Sequence, residues 1–118
     1  FPALMRSCKI QKRAARVGFD WDTAADTLPK VHEEADEVLD ALKKGDAPAI
    51  AEEIGDLLFA CVNAARKAGV DPELALAAAT QKFTNRFIKM EELILSEGGC
   101  LSDMTLEQMD SYWDRIKK

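Results

Sequence analysis

The chain has no uninterrupted apolar stretch approaching the roughly 20 residues that a bilayer crossing needs, which excludes a transmembrane helix. Its start lacks the succession of basic, apolar and small residues that marks a secretory leader, and it opens on Phe1 instead of Met, so the chain is expected to be trimmed or processed. Histidine and cysteine are scarce. A single His32 and three widely spaced cysteines, Cys8, Cys61 and Cys100, without a CxxC pair, argue against a zinc cluster or a disulfide framework and predict a reduced, cytoplasmic protein. Positive charge is also in short supply. Sixteen Lys and Arg against 21 Asp and Glu give a net charge of -5, so neither nucleic acid nor an anionic membrane is an expected partner. Runs that alternate apolar with polar residues are missing too, which leaves no convincing strand.

What is present is a helical protein. The 118 residues are 47% hydrophobic and 31% charged, the profile of one globular domain spanning 1–118. A first helix is predicted from about Ala3 to Val17, stopped by Gly18, with Phe19 and Trp21 turning toward the core. A second, capped by Asp22 or Thr23, carries Leu28, Val31, Ala35, Val38, Leu39 and Leu42 and ends at Lys43-Lys44-Gly45, with Pro29 implying a kink or a late start. Asp46 caps a third helix whose stripe of Ile50, Ile54, Leu57, Leu58, Cys61, Val62 and Ala65 predicts the most buried helix, with Cys61 an inert buried thiol. A fourth helix starts at Asp71-Pro72 and ends before Gly98-Gly99, and a Thr105/Gln108 capping box opens a short fifth through Trp113. The expected fold is all-α, a four-helix bundle-like domain with a short extra C-terminal helix.

The chemistry lies in carboxylates. Helix two holds Glu33, Glu34 and Glu37, and helix three holds Glu52, Glu53 and Asp56, each set beside the apolar stripe of its helix. At about 100° per residue, Glu34 with Glu37 and Glu53 with Asp56 fall on corresponding sides of two helices joined by a short connection, so antiparallel packing brings the four together. Mutually repelling carboxylates are neutralised by a hard divalent cation, and Mg²⁺ suits oxygen ligands and shared substrate phosphates. Solvated helix faces rich in Glu are the other reading of the same residues.

These residues resemble a known family. Glu33-Glu34-Ala35-Asp36-Glu37, then fifteen residues, then Glu53-Ile54-Gly55-Asp56, is similar to the EExxE...ExxD signature of the all-α nucleoside triphosphate pyrophosphohydrolases, and within them to the MazG family. The strings Ile10-Gln11-Lys12-Arg13-Ala14-Ala15, Val17-Gly18-Phe19-Asp20-Trp21, Gly55-Asp56-Leu57-Leu58-Phe59 and Lys82-Phe83-Thr84-Asn85-Arg86-Phe87 carry the resemblance along nearly the whole chain. Where first domains of two-domain members have Cys-Pro-Trp-Asp, this chain has Gly-Phe-Asp-Trp, so it looks like the C-terminal domain of a longer chain.

The resemblance implies Mg²⁺-dependent hydrolysis of a nucleoside triphosphate to monophosphate and pyrophosphate, Mn²⁺ being a possible substitute, by a homodimer. It implies that Glu34, Glu37, Glu53 and Asp56 hold the metal and that Lys30, Glu52, Lys82, Arg86 and Trp113 meet the substrate. Glu33, adjacent to the ligands, is the candidate to orient or deprotonate the attacking water, or else an ion-pair partner of Lys30. Lys82 and Arg86 are four residues apart and suited to phosphate, while Phe83 and Phe87 pack as their own pair on the adjacent face. Trp113 either stacks on a base or closes the core. His32 is read as satisfied or exposed, not as a ligand. Ala49 departs from members that carry a lysine near the substrate. Two rivals stand beside this reading: a phosphoribosyl-ATP pyrophosphohydrolase, whose Tyr-His continuation is replaced here by Leu57-Leu58-Phe59, and a non-catalytic helical interaction module.

Overall fold

A computed structural model describes residues 2–117 and is helical throughout, with five α-helices, two short 3-10 turns and no strand among the described residues. The helices are α1 (Ala3–Arg16), α2 (Leu28–Lys44), α3 (Ala47–Lys67), α4 (Pro72–Ser96) and α5 (Leu106–Lys117). The chain divides into two compact units, Phe1–Ala75 and Leu76–Lys118, each described here on its own. Among the described residues no helix is long and apolar enough to cross a membrane.

In the first unit α2 and α3 form the principal helix pair, and α1 packs on α3. The turn between α2 and α3 is two residues long for a local reason. Gly45 takes the left-handed backbone, φ 67°, that a side chain would oppose, and its N–H closes on the carbonyls of Ala41 and Leu42, both at 3.1 Å. Asp46 follows at once as the N-cap of α3, its Oδ1 accepting from the Ala49 N–H at 3.3 Å, with Pro48 in the first turn. Two helices so joined run antiparallel, which sets the register of their acidic residues.

The buried line of α2 is Thr27, Glu34 and Ala41, seven residues apart and 1%, 6% and 6% exposed. A carboxylate therefore occupies the middle of the helix's most buried line. The predicted stripe differs: Leu28, Leu39 and Leu42 are about half exposed, because the small Ala41 lets α3 approach and the larger residues flank the contact. The start of α2 also differs from the prediction. No side chain caps α2 itself; Thr23 and Asp26 exchange backbone-to-side-chain bonds at 3.1 and 3.3 Å around a 3-10 turn, Ala25–Thr27, that leads into it. Pro29 falls in the first turn of α2, where it costs no hydrogen bond and makes no kink.

On α3 the expected deep burial is confined to Ala60 and Val62, whereas Ile54, Leu58 and Phe59 are 42%, 54% and 46% exposed. Ala60 and Val62 point about 200° apart, and Cys61 projects into the gap between them, so the predicted buried thiol is exposed. Phe19 and Trp21 likewise stand on the surface at 82% and 38% exposure. Asp20 between them is bound by Arg66 and Lys67 of α3, which holds the loop down by charge and not by core packing.

The second unit is built on the C-terminal part of α4, with Met90 and Ile94 buried. Gly99 sits where a Cβ would meet Ile94 Cγ2 and Met104 Cε, each at 3.2 Å, so the chain leaves α4 through a gap sized for glycine. Thr105 and Gln108 form the predicted capping box, at 2.9 and 3.2 Å, and α5 continues one turn beyond Trp113. Glu97 clamps α5 back onto α4 through Arg115 at 2.9 Å and Tyr112 at 3.0 Å.

Candidate active site

Glu34, Glu37 and Glu53 converge. Each offers a carboxylate oxygen, and the three lie within 4.8 Å of one another, with Glu34 buried, Glu53 half-buried and Glu37 partly exposed. Glu34 and Glu37 are three residues apart on α2, and Glu53 stands seven residues before the buried Ala60 on α3. The short turn at Gly45 and Asp46 is what brings the two faces together.

The electrostatics are those of a crowded acidic site. The Glu53 carboxylate first, and Glu34 second, push Glu37 up to about 7 from its ordinary 4.5. Lys30 supplies partial compensation, its ammonium lying 3.0 Å from Glu34 Oε1 and 3.3 Å from Glu33 Oε1. These two acids hold the Lys30 proton more firmly than an isolated lysine would. The other oxygens stay unmet: Glu34 Oε2 and Glu53 Oε2 are buried without a hydrogen-bond partner. A buried carboxylate oxygen without a donor is costly, and two beside a third acid form a donor set for a cation. Oxygens on a six-coordinate Mg²⁺ lie about 3 to 4 Å apart, so a group already within 4.8 Å fits such an ion with small side-chain movement.

The remaining sequence-predicted residues are placed as follows. Asp56, one turn after Glu53, is exposed and is not one of the three converging acids; Glu52 is also exposed. Glu33 is exposed and paired with Lys30, the ion pair that was one of its two expected states. His32 is exposed. Lys82, Arg86 and Trp113 belong to the second unit. There Lys82 is exposed and Arg86 half-buried, and Phe83 stacks on Phe87 at 6.1 Å with an 11° interplanar angle. Trp113 packs against Phe83 at 5.3 Å.

Sequence reasoning missed a group on α1 and α3. Gln11 is 7% exposed, and its Nε2 donates to the Phe59 carbonyl at 3.0 Å. Arg66 donates to both Asp20 and Asn63. The available signal was a polar Gln three residues after Cys8, on the side of α1 that must face α3.

Two antiparallel helices of an all-α fold bring three glutamates together, an oxygen donor set of the kind that a hard cation takes. A MazG nucleotide pyrophosphohydrolase domain matches residues 22–90. The chain is 44% identical over 119 aligned residues to the nucleoside triphosphate pyrophosphohydrolase of Escherichia coli strain K12, covering 99% of this chain and 45% of that protein. It is 45% identical over 116 residues to the nucleoside triphosphate pyrophosphohydrolase/pyrophosphatase MazG of Thermotoga maritima, covering 98% and 44%. A Bacillus subtilis protein, YabN, is 47% identical over 66 residues, 56% of this chain and 14% of its own length. The chain belongs to the MazG family, and it spans less than half the length of the E. coli and T. maritima relatives.

Proposed function

We propose that this chain hydrolyses nucleoside triphosphates to the monophosphate and pyrophosphate, using a divalent cation held by Glu34, Glu37 and Glu53, with Asp56 completing the set. The observation that carries this reading is the pair of buried, unpartnered oxygens on Glu34 and Glu53 beside a third carboxylate. Family membership gives the reaction its class. Mg²⁺ is the fitting ion, Mn²⁺ a substitute, because every donor is a hard oxygen. When bound, the ion neutralises the acids, offsets their repulsion of the triphosphate and polarises the phosphorus under attack.

The chain's own residues do the rest. Water adds across the anhydride between the α and β phosphorus, and Glu33, at the exposed edge of the acidic group, accepts its proton. Lys30 holds Glu34 in place through their ion pair, and its exposed side chain reaches toward phosphate. Glu52 lies on the substrate side of α3. Lys82 and Arg86 grip phosphate oxygens, Arg86 through two parallel donors. Trp113 steadies Phe83, on the face of α4 adjacent to those cations, and lies within reach of the substrate.

The chain acts as a homodimer. Ile54 and Leu58 on α3, and Leu74, Leu76 and Ile88 on α4, are 42 to 69% exposed, more apolar surface than a soluble monomer ordinarily shows. Sedimentation at micromolar concentration reads a 26 kDa species if this is right, twice the 13.0 kDa chain, and a fully active monomer overturns it. The test of the activity is incubation with each NTP and dNTP plus Mg²⁺. Monophosphate with pyrophosphate supports the reading. Diphosphate with orthophosphate, or no turnover, overturns it, the latter in favour of a binding module.

A further inference from the structure

We infer that Glu97 is a positioning residue: through Arg115 and Tyr112 it sets where α5 holds the Trp113 ring, and so how that ring meets the substrate. This deepens the proposed hydrolase reading and rests on it for the role of Trp113. Glu97 stands at the C-terminal end of α4, its N–H on the carbonyls of Leu93 and Ile94 at 3.1 and 3.2 Å, so its backbone is continuous with the helix. Its two carboxylate oxygens take different partners. Oε2 accepts from Arg115 Nη2 at 2.9 Å, and Oε1 accepts from the Tyr112 hydroxyl at 3.0 Å. The Arg115 guanidinium also lies 5.2 Å from the centroid of the Tyr112 ring, so each of the three side chains meets the other two.

A lone surface ion pair contributes little, and Arg115 and Glu97 are 53% and 41% exposed. The closed triangle changes that balance, because each side chain holds the next in one rotamer and less freedom is lost per contact than in an isolated pair. The ionisation of the three groups agrees with the geometry. Arg115 first, and Tyr112 second, hold the Glu97 carboxyl below its ordinary range, while Glu97 raises both Arg115 and Tyr112.

The register of α5 decides what the triangle positions. Tyr112 and Arg115, three residues apart, share one side of the helix, and Trp113 lies about 100° round from Tyr112. Trp113 meets Phe83 at 5.3 Å, with 41° between the ring planes. Phe83 and Glu97 are 14 residues apart, about 21 Å along α4, so α5 is tied to α4 at two well-separated points and its tilt is fixed. The close helix pairs of the fold are α2 with α3 and α1 with α3, whereas α5 reaches α4 through long side chains. Loss of the Glu97 tie leaves the Thr105/Gln108 box holding the first turn of α5 and frees its C-terminal half. The Trp113 ring, half-buried and so partly open to a ligand, then loses its fixed place.

The test is a charge exchange in the whole chain. Glu97→Arg sets two guanidinium groups against each other, and Glu97→Arg combined with Arg115→Glu restores the pair in reverse, with the Tyr112 hydroxyl now accepting. In a Trp21→Phe background Trp113 is the one tryptophan left, and its emission is read without substrate. Glu97→Arg moves that emission to longer wavelength and lowers its anisotropy while circular dichroism stays parental, and the exchanged pair returns both. Should Glu97→Arg lose helix content, Glu97→Ala, which removes the acceptor without adding a charge, is read in its place. With Trp21 retained, Glu97→Arg raises KM for the preferred triphosphate about fivefold, leaves kcat within about twofold and leaves the Mg²⁺-induced Tm shift unchanged, and the exchanged pair restores KM. Parental emission in Glu97→Arg, a defect that the exchange does not relieve, or a parental KM beside a displaced ring overturns the inference. Displaced and rescued emission in a chain without turnover keeps Glu97 as the residue that places Trp113 and removes the hydrolase reading instead.

Discussion

Lys30 and Glu34 are joined at 3.0 Å one helical turn apart, and the lysine is 42% exposed while the carboxylate is only 8% exposed. The pair is lopsided: solvent shares the ammonium, and the acid depends on it. Replacement by Lys30→Met leaves Glu34 buried without its cation, so in EDTA the Tm falls by several degrees, and Mg²⁺ recovers most of the loss. Thermal melts with and without Mg²⁺ check both halves. Equal losses in the two conditions would separate Lys30 from the metal site.

Glu53→Gln and Glu37→Gln each remove one of three mutually repelling acids while keeping shape. Hydrolysis should fall by at least about a hundredfold, and metal-free stability should hold or rise. An ion held as proposed stabilises the parent by about 2.7 kcal/mol at a hundredfold excess over Kd, and losing one of its ligands would shrink that gain. Pyrophosphate release and the Mg²⁺-induced Tm shift, measured on the same samples, decide it.

The metal-free chain should become more stable as pH is lowered from 8 to 5. Glu37 is raised to about 7 in the fold against 4.5 unfolded, so between those values the folded state binds the extra proton. Its destabilising charge is complete above 7 and disappears as pH falls. Glu37→Gln abolishes this limb, and saturating Mg²⁺ flattens it. Asp20 acts oppositely: Arg66 and Lys67 hold it well below the usual carboxylate range, so its contribution persists above about pH 4 and is lost only in stronger acid. Chemical denaturation across pH, with Asp20→Asn as the second variant, resolves the two limbs.

If Lys82 and Arg86 meet phosphate and not the ion, as proposed, Lys82→Ala and Arg86→Ala reduce kcat/KM for triphosphate about tenfold or more each and leave Mg²⁺ affinity nearly unchanged. Steady-state kinetics beside a metal titration distinguishes these effects. Parental kcat/KM in both variants removes α4 from phosphate binding.

Asp46→Ala removes the one side-chain cap on α3 and should cost about 1 kcal/mol of stability with kcat unaffected at temperatures where the chain stays folded. A kcat that falls while circular dichroism shows the helices intact would instead tie the turn directly to the reaction.

The helix ends were legible because caps and stops are local chemistry: Asp46, Gly45 and the Thr105/Gln108 box act within four residues of sequence. The acidic triad was legible from spacing and a short turn. What was not legible is set by neighbours. Cys61 is apolar in pattern but falls between the two surfaces that grip α3, and Leu39 and Leu42 yield the α2 contact to the smaller Ala41. Phe19 and Trp21 read as core because nothing local reveals that Asp20 is fastened 46 residues away by Arg66. Gln11 reads as a polar helix residue until Phe59 is seen beside it.

The fastening of Asp20 by Arg66 and Lys67 makes the order of its loop a function of salt. Because Phe19 and Trp21 add little burial there, screening those two ion pairs should loosen the loop before the helices unfold. In concentrated salt the first unit should then lose its structure in two stages, the loop ahead of the helices.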